Sequence, residues 1–293
     1  EIPDNNMQGG GDMGAGQPQE EARKPPEFNP EALDLSDMRK FLMSPAPQAA
    51  GIVQCSIKRN KSGTNKLFPE YEVFMKDASG VERFLLCSKK RPGNKTSNYL
   101  ISMKQGDLNR SGTNFLGKLR ANFVGTEFQI YDDGLNPRDL EPEYLGEGQG
   151  SRHELGVVLY ASNMLGSRGP RKMQVAVPMV DEDGNVLQPR TPKDDEMLQM
   201  VKNDDFNNLI YLINKPPRWN DEVGAYVLNF NGRVTMASVK NFQLIEQDNP
   251  ECVLLQFGRV AKDKFTMDFQ WPLSPFQAFA ITLSSFDSKI ACD

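Results

Sequence analysis

Trp271-Pro272-Leu273-Ser274-Pro275-Phe276-Gln277-Ala278-Phe279-Ala280-Ile281-Thr282-Leu283-Ser284-Ser285-Phe286-Asp287-Ser288-Lys289-Ile290-Ala291-Cys292-Asp293 is the stretch that decides the fold. Residues 276–290 read as one helix. Pro275 sits in the first turn, where proline is tolerated, and Ser274 precedes it as an N-cap. Apolar and small side chains fall on every side of this helix rather than on one stripe. Such a helix is buried all round. It is too short, and too interrupted by Gln277, Asp287 and Lys289, to span a bilayer. Something must wrap around it.

The upstream sequence offers strands. They are expected over residues 52–57, 71–75, 83–87, 97–102, 127–131, 155–160, 173–178, 225–230, 239–245, 252–257 and 265–269. Turn residues separate them, as in Asp77-Ala78-Ser79-Gly80 and Asp132-Asp133-Gly134, and Asn231-Gly232 is a strong hairpin signal. About a dozen short strands with regular turns point to a closed barrel or a sandwich. Closure removes exposed edges, and a barrel of that size leaves a lumen that needs filling. The apolar helix fits that role. Residues 194–207, with Met197, Leu198, Met200, Val201 and Phe206, read as a surface helix.

Residues 1–33 are rich in Gly, Pro, Gln, Asn and Glu and almost free of aromatics. They bury too little apolar surface to offset ordering entropy, so they read as a disordered lead-in to one domain over residues 34–293. Within that domain, residues 36–42 form a short helical turn. The chain is 38% hydrophobic and 25% charged, which allows a sizeable core under a polar surface. Its net charge of −5 argues against indiscriminate nucleic-acid binding. Cys55, Cys87, Cys252 and Cys292 form no C-x-x-C pair, so neither a zinc site nor a redox motif is indicated. No secretory or membrane-spanning run is visible, and reduced thiols in the cytosol are expected.

Catalytic patterns are missing as well. His153 is the one histidine, it lies beside a Gly-rich loop, and there is no G-x-S-x-G elbow. It reads as a surface residue. Gly146-Glu147-Gly148-Gln149-Gly150 lacks the Lys-Ser/Thr pair and the following helix of a phosphate loop. Asp132, Asp133 and Asp139 are turn residues. The expectation is no catalysis, no metal and no cofactor.

Several blocks spread over the chain carry a family resemblance. They are Lys95-Thr96-Ser97-Asn98-Tyr99-Leu100-Ile101-Ser102; Gly117-Lys118-Leu119-Arg120-Ala121-Asn122-Phe123 with Gly125-Thr126; and Asn163-Met164-Leu165-Gly166 with Gly169-Pro170-Arg171-Lys172-Met173. Further on come Tyr226-Val227-Leu228-Asn229-Phe230, Gly232-Arg233-Val234-Thr235 and Ala237-Ser238-Val239-Lys240-Asn241-Phe242-Gln243. Gln256-Phe257-Gly258-Arg259-Val260 and the block from Leu283 to Cys292 close the series. In content, order and spacing the chain resembles the tubby family. The resemblance implies a mainly β fold, a closed twelve-stranded β-barrel filled by a central hydrophobic C-terminal α-helix. It also implies binding of phosphoinositides, notably phosphatidylinositol 4,5-bisphosphate.

The charge distribution bears on that chemistry. Residues 81–120 hold nine cations and two anions, a net +7 in a chain of −5. The cations are Arg83, Lys89, Lys90, Arg91, Lys95, Lys104, Arg110, Lys118 and Arg120. Period-2 alternation puts Lys89 and Arg91 on one face of a strand, and Lys118 and Arg120 on one face of another. Two such strands aim four cations at one spot, and an Arg fork suits a phosphate. The resemblance implies phosphate contacts at Lys89, Lys90 and Arg91 and at Arg120; Lys95 and Lys118 complete the candidate set. Here the Lys89-Lys90-Arg91-Pro92-Gly93-Asn94 run is less basic than in many relatives. Without the resemblance, the run also reads as a solvated loop between strands. Arg171, Arg233 and Arg259 read as turn residues or barrel-end ion pairs.

The expected function is a phosphoinositide-binding, membrane-tethered adaptor in signalling or in trafficking of membrane and ciliary proteins. Its partners would be the lipid, membrane-protein cargo and ciliary transport machinery. The protein would be a cytoplasmic monomer, peripheral at the plasma membrane, with the cilium and the nucleus as further locations. The alternative is a DNA-binding transcriptional regulator released from the membrane to the nucleus. The overall acidity and the lack of a recognition helix weigh against it.

Overall fold

The computed structural model describes residues 26–139, 150–161, 172–190, 196–222 and 224–287. Its helices are α1 (Met38–Met43), α2 (Glu196–Lys202) and α3 (Pro275–Phe286). Its strands are β1 (Val53–Asn60), β2 (Glu70–Lys76), β3 (Glu82–Lys90), β4 (Asn98–Ser102), β5 (Phe115–Ala121), β6 (Glu127–Asp132) and β7 (Glu154–Tyr160). They continue as β8 (Met173–Pro178), β9 (Leu209–Asn214), β10 (Arg218–Asn220), β11 (Ala225–Val227), β12 (Phe242–Glu246), β13 (Asn249–Ala261) and β14 (Lys264–Phe269).

The central helix forms as its sequence dictates. Ser274 Oγ accepts from the Gln277 N–H (3.1 Å), and Gln277 Oε1 accepts from the Ser274 N–H (3.0 Å), a reciprocal capping box with Pro275 in the first turn. Every helical residue except Gln277 is buried. At the far end Phe286 packs against Tyr71, Phe265 and Phe257, with ring centroids 4.5, 4.8 and 5.2 Å away. The helix stops at Phe286, earlier than the expected residue 290, because Asp287 is extended. Residues 288–290 lie outside the described residues. The Asp287 carboxylate accepts from the Tyr99 hydroxyl (2.8 Å), the Ser97 hydroxyl (2.9 Å) and the Lys90 ammonium (3.3 Å).

Twelve strands close around α3 in the order β1-β14-β13-β12-β9-β8-β7-β6-β5-β4-β3-β2. All neighbours are antiparallel, and β1 pairs with both β2 and β14. Period-2 alternation turns Val53, Cys55 and Ile57 of β1, and Tyr71, Val73 and Met75 of β2, into the core. Because the strands run alternately up and down, their connections divide between two ends. One end holds the start of α3, and there α1 packs against α3, with the Ala46 N–H bonded to Leu273 O (3.0 Å). The other end holds Asp287 and the connections β1–β2, β3–β4, β5–β6 and β13–β14.

Three expectations change. First, residues 26–33 are not a disordered lead-in. The Asn29 N–H bonds Ala50 O (2.9 Å) and Leu33 joins the core, so the packed unit starts upstream of residue 34. Residues 1–25 lie outside the described residues. Second, the tight turn at Asn231-Gly232 forms, with both residues at positive φ and the Arg233 N–H bonded to Phe230 O (2.9 Å), but residues 225–230 do not run into it as a barrel strand. Only Ala225–Val227 is extended, and it pairs with β10 in a separate two-stranded sheet. Third, β9 is a barrel strand where none was expected. Its sequence is nearly continuously apolar rather than alternating, because α2 covers the outer wall there. Val157, Ala176 and Leu209 on the wall pack with Met197, Leu198 and Val201 of the helix. The expected helix over residues 194–207 is therefore shorter and half-buried. Arg233 takes the structural role expected of it, with its Nε 2.8 Å from the buried Asp268 carboxylate.

Candidate functional site

The outer face of β5 is where cations meet. Leu119 and Ala121 point into the core, so Lys118 and Arg120 point out. Their cross-strand neighbours are Leu100 and Tyr131 for Lys118, and Asn98 and Gln129 for Arg120. Arg120 is exposed, but Lys118 retains only 6% of its surface and lies 5.9 Å from the Tyr131 ring centroid. Burial pushes the Lys118 ammonium down to about 8, helped by the Arg152, Arg110 and Arg120 cations and opposed by Asp132. Asn98 Oδ1 is buried and has no hydrogen-bond partner among the described residues.

A third cation comes from a segment that sequence reading passed over. Arg152 is 7% exposed, and its guanidinium lies over the Tyr131 ring, 4.0 Å from its centroid. Its Nε is buried without a hydrogen-bond partner among the described residues. Backbone packing puts it there. The Arg152 N–H bonds Leu135 O (2.8 Å), and the chain at Gly134 passes so close that a Cβ there would lie 2.4 Å from the Arg152 Cα. Asp132, at the end of β6, ties the segment down. Its carboxylate accepts from the His153 N–H (2.9 Å), the His153 ring Nδ1 (2.7 Å) and the Gly134 N–H (3.0 Å). The ring bond to Asp132 raises the His153 pKa. His153 is thus an anchor for its neighbour rather than an idle surface residue.

Arg120, Arg138 and Arg152 line one open cleft of about 320 Å³, with Thr96, Gln129 and Asn136 among the neutral groups on its walls. Glu127 is the acid on this wall, and Lys202 neutralises it at 2.8 Å. Stacked, partly desolvated cations beside neutral hydrogen-bonding side chains suit a polyol that carries several phosphates.

The family model described as the Tub family matches residues 42–288. The chain belongs to the Tub family. It is 49% identical to Tubby-related protein 2 of Mus musculus over 87% of this chain and 45% of that protein. It is 46% identical to Tubby-related protein 1 of Homo sapiens over 89% of this chain and 47% of that protein. Protein king tubby of Drosophila pseudoobscura pseudoobscura is 44% identical over 88% of this chain and 55% of that protein. The chain thus spans about half the length of the curated relatives it matches.

Within this Tub-family barrel the six sequence-expected residues divide into three groups. Arg120 lines the cleft with Arg152, and Lys118 lies beside them on the same outer face of β5 without lining the cleft itself. Lys89 and Arg91 lie two strands away, beyond β4, level with Leu100 and Asn98 respectively. Lys89 is bonded to Asn65 Oδ1, and Arg91 is exposed. Lys90 does not share their face. It turns into the barrel mouth to pair with Asp287, and is engaged by the core helix. Lys95 is exposed on the β3–β4 connection, next to the cleft residue Thr96. The four cations expected at one spot therefore form two outward pairs about 10 Å apart, at two strand spacings. Alternation could not have found Arg152, because a register shift in β7 between residues 154 and 156 breaks the phase set by the core residues Val158 and Tyr160. Only the pairing of Glu154 with Tyr131 shows that this segment faces outward. Of the family blocks, residues 163–166 and 169–171 lie outside the described residues, as do residues 146–149 of the Gly-rich loop.

Proposed function

We propose that this chain is the membrane-docking domain of a phosphoinositide-binding adaptor, and that it holds phosphatidylinositol 4,5-bisphosphate in the outer-wall cleft. The observation that carries this reading is Arg152, a buried guanidinium whose Nε has no hydrogen-bond partner among the described residues, beside a partly desolvated Lys118. Keeping such a pair unneutralised is unfavourable unless an anion completes it. Family membership supports the reading. The packed interior supports it too, since a barrel filled by α3 leaves no lumen for a ligand. On this reading the protein is non-enzymatic and works at the cytoplasmic face of the plasma membrane. Membrane-protein cargo and transport machinery are then its partners, reached through other segments.

Vesicle co-sedimentation tests it. Wild type should bind phosphatidylcholine vesicles only when a few per cent of the bisphosphorylated lipid is present. Arg120→Ala and Arg152→Ala should each weaken binding roughly tenfold or more, as loss of one charge-assisted contact predicts. Equal binding by all proteins, or no preference for the lipid, would sink the proposal. Duplex DNA at physiological salt serves as the rival arm, and tight binding there with no lipid preference would favour the nucleic-acid reading.

A further inference from the structure

Large apolar side chains are mostly buried in this molecule, and the β5–β6 turn departs from that rule. Phe123 is 71% exposed, and Val124 beside it is 38% exposed. The turn that carries them is fixed by its own hydrogen bonds. The Asn122 N–H bonds Glu127 O (2.8 Å) and the Gly125 N–H bonds Asn122 O (3.3 Å). Asn122 Oδ1 accepts from the Thr126 N–H (2.9 Å), and its Nδ2 donates to Thr126 Oγ1 (3.1 Å). A single exposed apolar residue needs no explanation. An adjacent pair, held out on a braced tip, does.

The tip sits beside the cleft. Arg120, Ala121 and Asn122 line that cleft, so the strand that supplies the anion site also ends in the apolar point. Exposed cations flank it on the neighbouring β3–β4 connection, at Arg91 and Lys95. At the same end of the barrel, the β1–β2 connection carries Leu67, 81% exposed, next to Lys66. Cations around apolar points match a surface that is anionic outside and hydrocarbon within. A protein groove would ask for a continuous apolar patch instead.

We propose that Phe123 and Val124 form a membrane-inserting tip, which enters the headgroup–acyl boundary of an anionic bilayer while the adjacent cleft holds a phosphoinositide headgroup. This rests on the phosphoinositide reading above. The two contacts act as a bivalent anchor. The headgroup supplies selectivity, and the tip adds apolar burial that exists only when the lipid is in a membrane.

The test separates the two contacts. A Phe123→Ser/Val124→Ser double variant, with folding checked by thermal melting, is compared with wild type in two assays. Calorimetry with soluble inositol 1,4,5-trisphosphate should give equal affinities. Binding to phosphatidylinositol 4,5-bisphosphate vesicles should fall roughly tenfold in the variant, as loss of one buried aromatic side chain predicts. In a second measurement, Phe123→Trp should be quenched by bromine-substituted acyl chains beyond the wild-type signal from Trp219 and Trp271. Unchanged vesicle affinity together with no added quenching would overturn the inserting tip, and would assign Phe123 to a protein partner or a second copy. Wild type that binds neither the soluble headgroup nor the vesicles would overturn the phosphoinositide reading, and this proposal with it.

Discussion

The two faces of β5 obey different rules. The inner face is governed by shape. Gly117 lies so close to its surroundings that a Cβ there would sit 2.1 Å from Tyr131 O and 2.7 Å from the Phe276 ring. Leu119 is fully buried against the core. The outer face, one residue out of phase, is governed by charge. Lys118 is nearly as buried as the core residues, yet it faces the Arg152, Arg110 and Arg120 cations and the Tyr131 ring, with Asp132 as a partial counter-charge. The inner face is satisfied by the chain itself. On the proposed reading an external anion completes the outer face.

The contrast orders the expected effects of perturbation. Removing the chain from Phe276 onward should have the largest effect. It takes away five large buried side chains at about 1.5–3 kcal/mol each, comparable with the roughly 5–15 kcal/mol that holds a typical domain together. Circular dichroism should show an unfolded protein, and a soluble, cooperatively melting truncation would refute α3 as the filling of the barrel. Gly117→Val should come next, at about 3 kcal/mol from overpacking against backbone and Phe276, read as a lowered urea midpoint. A third change moves to the outer face. Arg152→Lys keeps the charge but loses the planar stack on Tyr131, so it should recover little of the vesicle binding lost in Arg152→Ala. Full recovery would mean that charge alone matters there.

Smaller effects should follow pH and salt. Free Lys118 loses its proton near pH 8, whereas an unfolded lysine keeps it to about 10.5. Between those values the unfolded chain binds more protons, so Lys118 makes folding stability rise with pH. Anion binding needs the charged form, so affinity should fall as pH climbs above 8. Titration calorimetry of wild type against Lys118→Arg checks this, and the arginine variant should lose most of the slope. The smallest change is expected for Lys89→Ala/Arg91→Ala. These cations flank the cleft from two strands away, contribute at most about 1 kcal/mol each toward an anionic surface, and should do so only at low salt. A loss equal to that of Arg152→Ala would move the centre of the site to β3.

Sequence reading was strong where a signal is local and weak where it depends on what covers a strand. The N-cap at Ser274 and the all-round burial of α3 were legible in the local sequence, whereas the reciprocal bond from Gln277 that completes the capping box was not read there. The outward pairing of Lys118 with Arg120 was legible too, since alternation needs only one strand. Strand β9 escaped because α2 buries its outer face and erases the alternation. Lys90 was grouped with its neighbours because the Asp287 that claims it is distant in the chain. Arg152 was missed for a related reason. Its partners Tyr131 and Lys118 lie far away in sequence, and only the pairing of β5, β6 and β7 brings them together.

The closure of the barrel has a consequence for synthesis. Strand β1 is bonded on one side to β14, and the interior it encloses is filled by the helix that follows β14. As the chain emerges from the ribosome, β1 to β13 can form hairpins, but their apolar faces have nothing to close on. The seam and its filling arrive together, after nearly all the strands. Eleven of the twelve strand pairs join consecutive barrel strands, but the closing seam and the packing on α3 are late and long-range, a pattern that leaves apolar surface exposed on the way. A nascent barrel of this kind needs protection from neighbouring chains until α3 is released.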